Sequence, residues 1–332
     1  KELKKCNKKD QRYKAKNYKE YIDSFIGPSL RKMFFEKYPK KIWGIDTKYM
    51  TPDWAPNRIK FRDKILPFYQ EEYVAVGKYG TGCIYDRIKD LIIKKGGKFS
   101  FNENVKGLKS HENKIIEILT NKKNYKIKSN EVVISTLPIS LTSKFLGKPN
   151  NLKFRGICSV YLFYKKSEIL PKNHHWLYFD SEKLLFNRVT ENKKLSKFVA
   201  PKNKSYLTAE ITYSQGDKFS KISSDLVIKK VTEQLGMTGL VDNKKLIGSS
   251  INYEPFVYPV QFSDYKNEVV RVKSFVESFD NLFSIGAGGE FNYADSQILF
   301  HKSFDLVNSL INRQSNFIND AKDINTVNFN PK

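Results

Sequence analysis

The stretch GAGG at 286–289 is the part of the sequence that most clearly suggests chemistry. It follows a short apolar run at 282–285 and precedes apolar residues at helical spacing, namely Phe300, Phe304, Val307 and Ile311. This pattern predicts a buried strand, a turn almost without side chains, and a helix with one apolar face. Such a turn lets backbone amides approach an anion or a flat cofactor. A tight connection with nothing bound fits the same pattern, so both interpretations stay open.

Arginine is scarce in this chain, which makes each one informative. Of 59 basic residues, 50 are lysine and nine are arginine. A guanidinium can hold a diphosphate or carboxylate through two parallel hydrogen bonds. Arginines inside an aromatic-rich segment, such as WAPNRIKFR at 54–62, are therefore better candidates for an anion ligand than the lysines.

The cysteine and histidine spacing gives no sign of a metal site. Cys6, Cys83 and Cys158 are far apart and odd in number, which predicts free thiols in a reducing compartment. The four histidines form no pattern with cysteine or carboxylate residues that is typical of metal ligands. The first residues are charged rather than apolar, so the sequence shows no secretory signal. We therefore expect no metal and a cytoplasmic location.

The net charge of +24 raises the question of nucleic-acid binding. The lysines are scattered beside Asn and Ile, as in NKKNYKIKSN at 121–130, and form no focused patch. Arginine, the residue that best reads bases and phosphates, is rare. We expect a small-molecule substrate rather than a specific nucleic acid. The sequence has no apolar run of about eighteen residues, so we predict no transmembrane segment.

The elements follow a recognisable order along the chain. A helical pattern covers residues 18–38 with a break at Gly27-Pro28, and a second helix is predicted from about 84 to the glycines at 96–97. Strands are predicted at 114–119 and 131–136, then at 157–164, 184–191 and 206–213. A helix at 224–235 precedes the last strand and helix. This order indicates two interleaved domains.

Several segments of the sequence, in the same order along the chain, resemble the flavoproteins around UDP-galactopyranose mutase and the protoporphyrinogen-oxidase-like, amine-oxidase-type FAD enzymes. The aromatic signature Y-x-x-K-x-W-G is matched by YPKKIWG (38–44), and W-A-x-x-R-I by the segment from 54. VGKYGTGCIYDRI (76–88), GGKFSFNENV (96–105), VVISTLP (132–138) and YPVQFSDY (258–265) match later stretches. The glycine stretch resembles the closing flavin motif. The likeness covers roughly residues 17–312.

The resemblance implies FAD as the cofactor. It assigns cofactor-binding positions to Val105, Thr136, Pro138, Gly286, Ala287, Gly288, Gly289, Tyr293 and Asp295. For Thr136 and Pro138 an ordinary place at the end of a strand is the alternative. Asp295 could instead cap the final helix, or do both.

The resemblance also implies substrate positions at Phe34, Tyr38, Trp43, Arg58, Arg62, Tyr73, Arg188 and Tyr258. Phe34 and Tyr38 lie four apart on the predicted helix and so share a face, where a core pair is the alternative to a base-stacking pair. Arg62 and Arg188 would neutralise a diphosphate, and Tyr73 and Tyr258 would contact it. Arg58 could help them or form a structural ion pair.

Two departures from the family pattern affect this interpretation. Members of the family begin with a strand, a G-x-G-x-x-G turn and a helix that hold the FAD pyrophosphate. No such turn occurs in the sequence, and the nearest glycine patterns, at 77–82 and 286–289, have the wrong spacing. We therefore expect at least one βαβ unit of ~30 residues to be missing at the N-terminus. Ala287 stands where the family often has an arginine near the flavin.

The predicted fold is α/β with mixed α+β character: an incomplete doubly wound FAD domain interleaved with a helical and antiparallel β-sheet substrate domain. The predicted parts are a basic lead-in (1–16), a helical substrate part (17–75), an FAD part (76–148), a β-rich substrate part (149–265), a closing FAD strand and helix (266–312) and a polar tail (313–332).

Three functions remain open from the sequence. The first is a mutase-like flavoenzyme, in which reduced flavin N5 would attack the anomeric carbon of a UDP-sugar and expel UDP. The second is an oxidoreductase of the protoporphyrinogen-oxidase or amine-oxidase type. The third is a non-catalytic fragment or basic binding protein. The sequence leaves a homodimer open as well.

Overall fold

The fold is taken from a computed structural model, which describes residues 2–6, 14–53, 55, 59 and 76–312. The helices are α1 (Glu2–Lys5), α2 (Tyr18–Ile26), α3 (Pro28–Phe34), α4 (Lys37–Trp43), α5 (Gly82–Lys94), α6 (Ile139–Phe145), α7 (Ser224–Met237), α8 (Tyr265–Val276), α9 (Gly286–Gly289) and α10 (Ser296–Asn312). Short 3-10 helices cover Thr47–Tyr49, Asn192–Lys194, Phe219–Lys221 and Asn243–Lys245.

The strands are β1 (Val105–His111), β2 (Lys114–Thr120), β3 (Asn124–Lys126), β4 (Val133–Ser135), β5 (Phe154–Tyr164), β6 (Trp176–Tyr178), β7 (Arg188–Glu191), β8 (Ser205–Tyr213), β9 (Leu246–Pro259) and β10 (Leu282–Ser284). The chain divides into two compact units, each made of two separated stretches. Unit one comprises 1–100 and 154–263, and unit two comprises 101–153 and 264–332. The predicted mixed α/β fold is confirmed. Residues 76–100, which the sequence analysis assigns to the FAD part, fall in unit one.

The first core of unit one lies among its N-terminal helices. Helix α2 begins after Asn17, whose side chain accepts a hydrogen bond from the Glu20 amide, the usual arrangement of an N-cap. Its apolar residues bury one face, and Trp43 at the end of α4 belongs to the same cluster. Gly27, with φ of +88°, separates α2 from α3, so the predicted break at Gly27-Pro28 is confirmed.

The second core of unit one lies under an antiparallel sheet with strand order β6-β7-β8-β5-β9. Alternate residues of β5 and β8, such as Val160 and Ala209, are fully buried, as the period of two predicts. Helix α7 covers this face with Val227, Val231 and Leu235. The neighbouring residues on each strand therefore lie on the opposite face of the sheet.

Unit two combines two small sheets. Strands β1, β2 and β3 form an antiparallel sheet, while β4 and β10 form a parallel pair with Val133 opposite Leu282 and Ser135 opposite Ser284. Helices α6 and α8 pack together. Buried Asn281 joins the two sheets, because its side chain donates to the Ile115 carbonyl (2.9 Å) and accepts from the Ile115 amide (2.8 Å).

Several predicted elements need correction. The prediction of a single helix carrying both Phe34 and Tyr38 was wrong, because α3 ends at Phe34 and α4 begins at Lys37. The predicted strand at 184–191 is formed only from Arg188 onward, since a loop fills the preceding residues. The strands β1, β6 and β9 and the helices α6 and α8 were not predicted.

Candidate functional site

The glycine turn, defined as Gly286–Gly289, forms a single helical turn directly after β10. Gly286 has φ of +95°, a conformation that other residues rarely adopt. The Glu290 amide donates to the Gly286 carbonyl (2.9 Å), and the Asn292 amide donates to the Ala287 carbonyl (3.0 Å). These bonds fix the turn from its C-terminal side.

Close packing explains why residue 289, the last of the glycine turn, is glycine. A Cβ atom on Gly289 would lie 3.0 Å from Ser284 Oγ and 3.4 Å from the Ser135 carbonyl oxygen. On Gly288 it would lie 3.5 Å from Pro138, in ordinary contact. The turn therefore lies against β4 and the segment that follows it, with Gly288 next to Pro138. Thr136, in the same segment, is exposed.

The turn offers backbone donors at the carboxyl end of the parallel pair. The Ile285 amide donates to the Ser135 carbonyl (3.0 Å), but within the described residues the amides of Ala287 and Gly288, in the first turn of the helix, have no partner. First-turn amides carry partial positive charge. In open α/β sheets, ligands bind at this end of the strands. The amide donors and the open space beside Gly286 fit a flat cofactor with anionic or carbonyl oxygens, such as the flavin end of FAD.

An ion pair with little exposure fastens helix α10 to the turn. Lys302 Nζ lies 2.6 Å from Glu290 Oε1, and the two side chains are 14% and 7% exposed. The other carboxylate oxygen accepts a hydrogen bond from Asn292 Nδ2 (3.3 Å). Sequence reasoning missed this pair, because a single lysine has little meaning in a lysine-rich chain.

The remaining predicted cofactor residues are more dispersed. Tyr293 is 44% exposed after the turn. Asp295 directly precedes α10, and its carbonyl accepts from the Leu299 amide (3.3 Å), which gives it the N-cap position that was the alternative interpretation. Val105 begins β1 opposite Thr120, in a different sheet from β4 and β10.

In unit one, the sheet face opposite α7 carries a row of polar side chains. Tyr178 pairs with Arg188, Arg188 with Glu210, and Glu210 with Ser159 in the strand register. We call Tyr178, Arg188, Glu210 and Ser159 the arginine row. Directly opposed residues on antiparallel strands have Cβ atoms about 5 Å apart, so their side chains interact.

Arg188 is held in a fixed orientation by Glu210. Its Nε and Nη2 atoms donate to the two carboxylate oxygens at 2.9 and 2.6 Å. Burial alone disfavours the charged guanidinium, but the Glu210 carboxylate raises the pKa of Arg188 above its ordinary value. Within the described residues Nη1 has no hydrogen-bond partner, so this donor is available to a ligand.

Three aromatic residues from the predicted set lie around the row. Tyr38 packs edge-on against Tyr178 with ring centroids 5.1 Å apart, and burial raises the pKa of Tyr38, so its hydroxyl stays protonated. Tyr258 is half-buried and contacts Trp43 at 5.7 Å. Trp43 is only 6% exposed and belongs to the helical core. Arg188 and Tyr258 both lie close enough to Tyr38 to affect its pKa, so these three predicted residues are brought together.

Of the remaining predicted substrate residues, the structure describes Phe34 alone. Phe34 is 57% exposed and packs against Phe35, so it forms no pair with Tyr38. Arg58, Arg62 and Tyr73 lie outside the described residues. Tyr178 and Glu210 were missed by the sequence reasoning. The signal for Glu210 was available, since it is an acidic residue on the polar face of the alternating strand YLTAEITY.

Among the described residues, no group of three or more His, Cys, Asp or Glu side chains is arranged to hold a metal ion. None of the helices described is long and apolar enough to cross a membrane.

Comparison with known proteins supports the fold but leaves the activity open. No protein-family profile and no curated protein sequence matches the chain. A solved structure of reduced UDP-galactopyranose mutase matches with a TM-score of 0.72 at 17% identity, over 93% of this chain and 71% of the mutase chain. A protein assigned as a protoporphyrinogen oxidase, from Exiguobacterium sp. 255-15, matches with a TM-score of 0.60 at 12% identity. That match covers 82% of this chain and 62% of the other. The predicted resemblance in fold is confirmed.

Proposed function

We propose that this chain, which has the fold of UDP-galactopyranose mutase, is part of an FAD-dependent enzyme that acts on a nucleotide sugar. The glycine turn would hold the flavin end of FAD, and the arginine row would hold the diphosphate of the substrate. The main support is the row itself: an oriented arginine with one available donor, next to two tyrosines, on a sheet face of this fold.

The residues of the row would act by binding and orientation. Arg188 Nη1 would donate to a phosphate oxygen, and Glu210 would hold the guanidinium so that little side-chain entropy is lost on binding. The hydroxyls of Tyr38 and Tyr258 are suitable further donors. Because Glu210 offsets the charge of Arg188, a diphosphate needs an additional cation, which Arg58 or Arg62 would supply.

The glycine turn would bind the flavin through the amides of Ala287 and Gly288. When bound, FAD would supply the reactive N5 atom of its ring system. The protein would orient the sugar and retain the departing diphosphate. Because residue 287 is alanine and not arginine, the backbone amides would have the larger share in holding the flavin ring.

An oxidoreductase of the protoporphyrinogen-oxidase type is the second candidate, favoured by the 0.60 TM-score to the Exiguobacterium protein. A tetrapyrrole or amine substrate has no diphosphate, so it needs no oriented guanidinium. This difference separates the two candidates. A chain that binds neither ligand would favour the non-catalytic alternative.

The test is UDP binding, measured by titration calorimetry in the presence of FAD. One charge-assisted hydrogen bond contributes about 1.5–3 kcal/mol, so Arg188→Met should weaken UDP binding about tenfold or more. Arg87→Met, on exposed helix α5, is the matched control and should leave UDP affinity unchanged.

A double variant, Arg188→Met with Glu210→Gln, removes the buried carboxylate charge that the single variant leaves without its partner. If only the single variant loses affinity, misfolding explains the loss. If wild-type protein binds no UDP but binds a porphyrinogen, the nucleotide-sugar proposal is wrong and the oxidoreductase proposal gains.

A further inference from the structure

The loop that connects the first two members of the arginine row is held by a single side chain. Residues 179–187 join Tyr178 at the end of β6 to Arg188 at the start of β7. Lys41 Nζ donates to the carbonyls of Phe179 (3.3 Å), Ser181 (2.9 Å) and Phe186 (2.6 Å). An ammonium group has three N–H donors. All three are therefore used to fasten one loop.

The backbone of Lys41 is anchored independently. Its carbonyl accepts hydrogen bonds from Thr212 Oγ1 (2.8 Å) and Arg155 Nη2 (3.3 Å), and Arg155 Nε donates to the next carbonyl, Ile42, at 3.0 Å. Arg155 is only 7% exposed. The C-terminal carbonyls of a helix have no partner inside it, so these bonds also satisfy the end of α4.

Gly44 permits this anchoring. It ends α4 with φ of +67°, and a Cβ atom there would lie 2.7 Å from Arg155 Nη1. Only glycine fits both the conformation and the space. In the signature YPKKIWG, Gly44 thus leaves room for the Arg155 guanidinium, and Lys41 connects α4 to the 179–187 loop.

The charges that face Lys41 are those of the loop itself. Burial lowers the pKa of Lys41 to about 8, while Asp180 and Glu182 oppose this effect. Neighbouring Lys40 is 53% exposed and lies 3.8 Å from Glu182, so it is attached to the same loop only by a weak surface pair. Lys40 is therefore a natural comparison for Lys41.

We infer that Lys41 is a positioning residue for the arginine row: it fixes the 179–187 loop and thereby the placement of Tyr178 and Arg188. Tyr38 lies on the same helix as Lys41, so one network orients residues from α4, β6 and β7 together. The effect on ligand binding rests on the proposed function. The effect on the loop does not.

The experiment compares Lys41→Met, which keeps the apolar stem but loses the donors, with Lys41→Arg, which keeps the donors. Lys40→Met is the matched control. Hydrogen exchange of loop amides, followed by mass spectrometry on the full chain with FAD, reports loop opening. UDP titration reports the arginine row.

Lys41→Met should speed exchange within 179–187 about tenfold and weaken UDP binding about tenfold, the size expected for lost charged hydrogen bonds. Lys41→Arg should restore most of both, and Lys40→Met should change neither. Thr212→Val removes one anchor and should give a smaller change in the same direction, which keeps the test valid if Lys41→Met fails to fold.

Unchanged loop exchange in both Lys41→Met and Thr212→Val would overturn the inference. UDP binding that weakens without faster loop exchange would also overturn it, because Lys41 would then act on the ligand directly. If wild-type protein binds no UDP but Lys41→Met still opens the loop, the inference about Lys41 holds and the proposed function fails.

Discussion

At the scale of single residues, the most informative side chains are buried or half-buried polar groups whose partners are backbone atoms. Asn281 and Lys41 each satisfy backbone groups in a neighbouring segment, and Arg155 satisfies the end of a helix. A buried polar group without a partner costs about 1–3 kcal/mol. Such residues therefore determine which segments can lie together, and each is a sensitive position.

Asn281 gives a prediction at this scale. Asn281→Leu leaves both the amide and the carbonyl of Ile115 without their partner, and Ile115 is only 1% exposed. We expect the free energy of unfolding in urea to fall by about 2–4 kcal/mol. The control Asn252→Leu, on the exposed edge strand β9, should cost less than about 0.5 kcal/mol. Equal effects of the two changes would show that Asn281 does not bridge the sheets.

At the scale of elements, helix α8 shows how one turn can fasten a distant segment. Glu268 accepts from the Asn151 amide (2.8 Å) and pairs with Arg271, whose Nη2 donates to the Pro149 carbonyl (3.1 Å). Hydrogen bonds from Arg271, followed by that from Asn151, lower the pKa of Glu268 from its ordinary 4.5 to about 2. The segment at 149–151, which precedes β5, is thus attached to α8 through the charged side chains of Glu268 and Arg271.

This depressed pKa predicts a pH-dependent stability. Because the pKa of Glu268 is lower in the folded state, its contribution is present above about pH 4.5 and is lost as the pH falls towards 2. Glu268→Gln should lower the free energy of unfolding by about 1 kcal/mol at neutral pH, the upper end for an exposed ion pair.

The measurement is a series of denaturation curves from pH 7 to pH 3, comparing wild type with Glu268→Gln. The difference between the two should shrink as the pH falls. The exposed Glu233→Gln on α7 should show little difference at any pH. A difference for Glu268→Gln that stays constant with pH would contradict the ion-pair explanation.

At the scale of the whole molecule, the affinity for FAD is the property that depends on segments far apart in the sequence. The glycine turn offers donors for the flavin end, but the 332-residue sequence contains no G-x-G-x-x-G turn for the pyrophosphate. The chain also matches only 71% of the mutase chain. We therefore expect residues 1–332 to bind FAD weakly and to lose it during gel filtration.

Two glycine variants make this expectation specific. Gly286→Ala forces alanine into φ of +95° at the glycine turn, and Gly216→Ala does the same at φ of +80° in a turn of unit one. Neither added methyl group meets another atom within 4 Å. Both should cost about 1 kcal/mol of stability, but only Gly286→Ala should weaken FAD binding further, measured by calorimetry. Stoichiometric FAD that stays bound to wild type through gel filtration would contradict the expectation.

The sequence by itself determined the features that depend on local physical chemistry. The break at Gly27-Pro28, the alternation in β5 and β8, and the strand–glycine–helix order at 282–312 follow from spacing and backbone preferences. The ordered motifs also predicted the fold that the structural comparison confirms. Arg188, Tyr38 and the glycine turn were identified as candidates on the same basis.

Only the tertiary structure decided what these residues contact. Arg188 was predicted to neutralise a diphosphate, but its pairing with Glu210 depends on strand register, which brings together residues 22 positions apart. The three carbonyl contacts of Lys41 span 138 to 145 positions. Phe34 and Tyr38 are separated because α3 ends between them. Local propensity acts over one or two turns of chain, whereas the pairing of polar groups is fixed only when distant segments pack and must satisfy each other's hydrogen bonds.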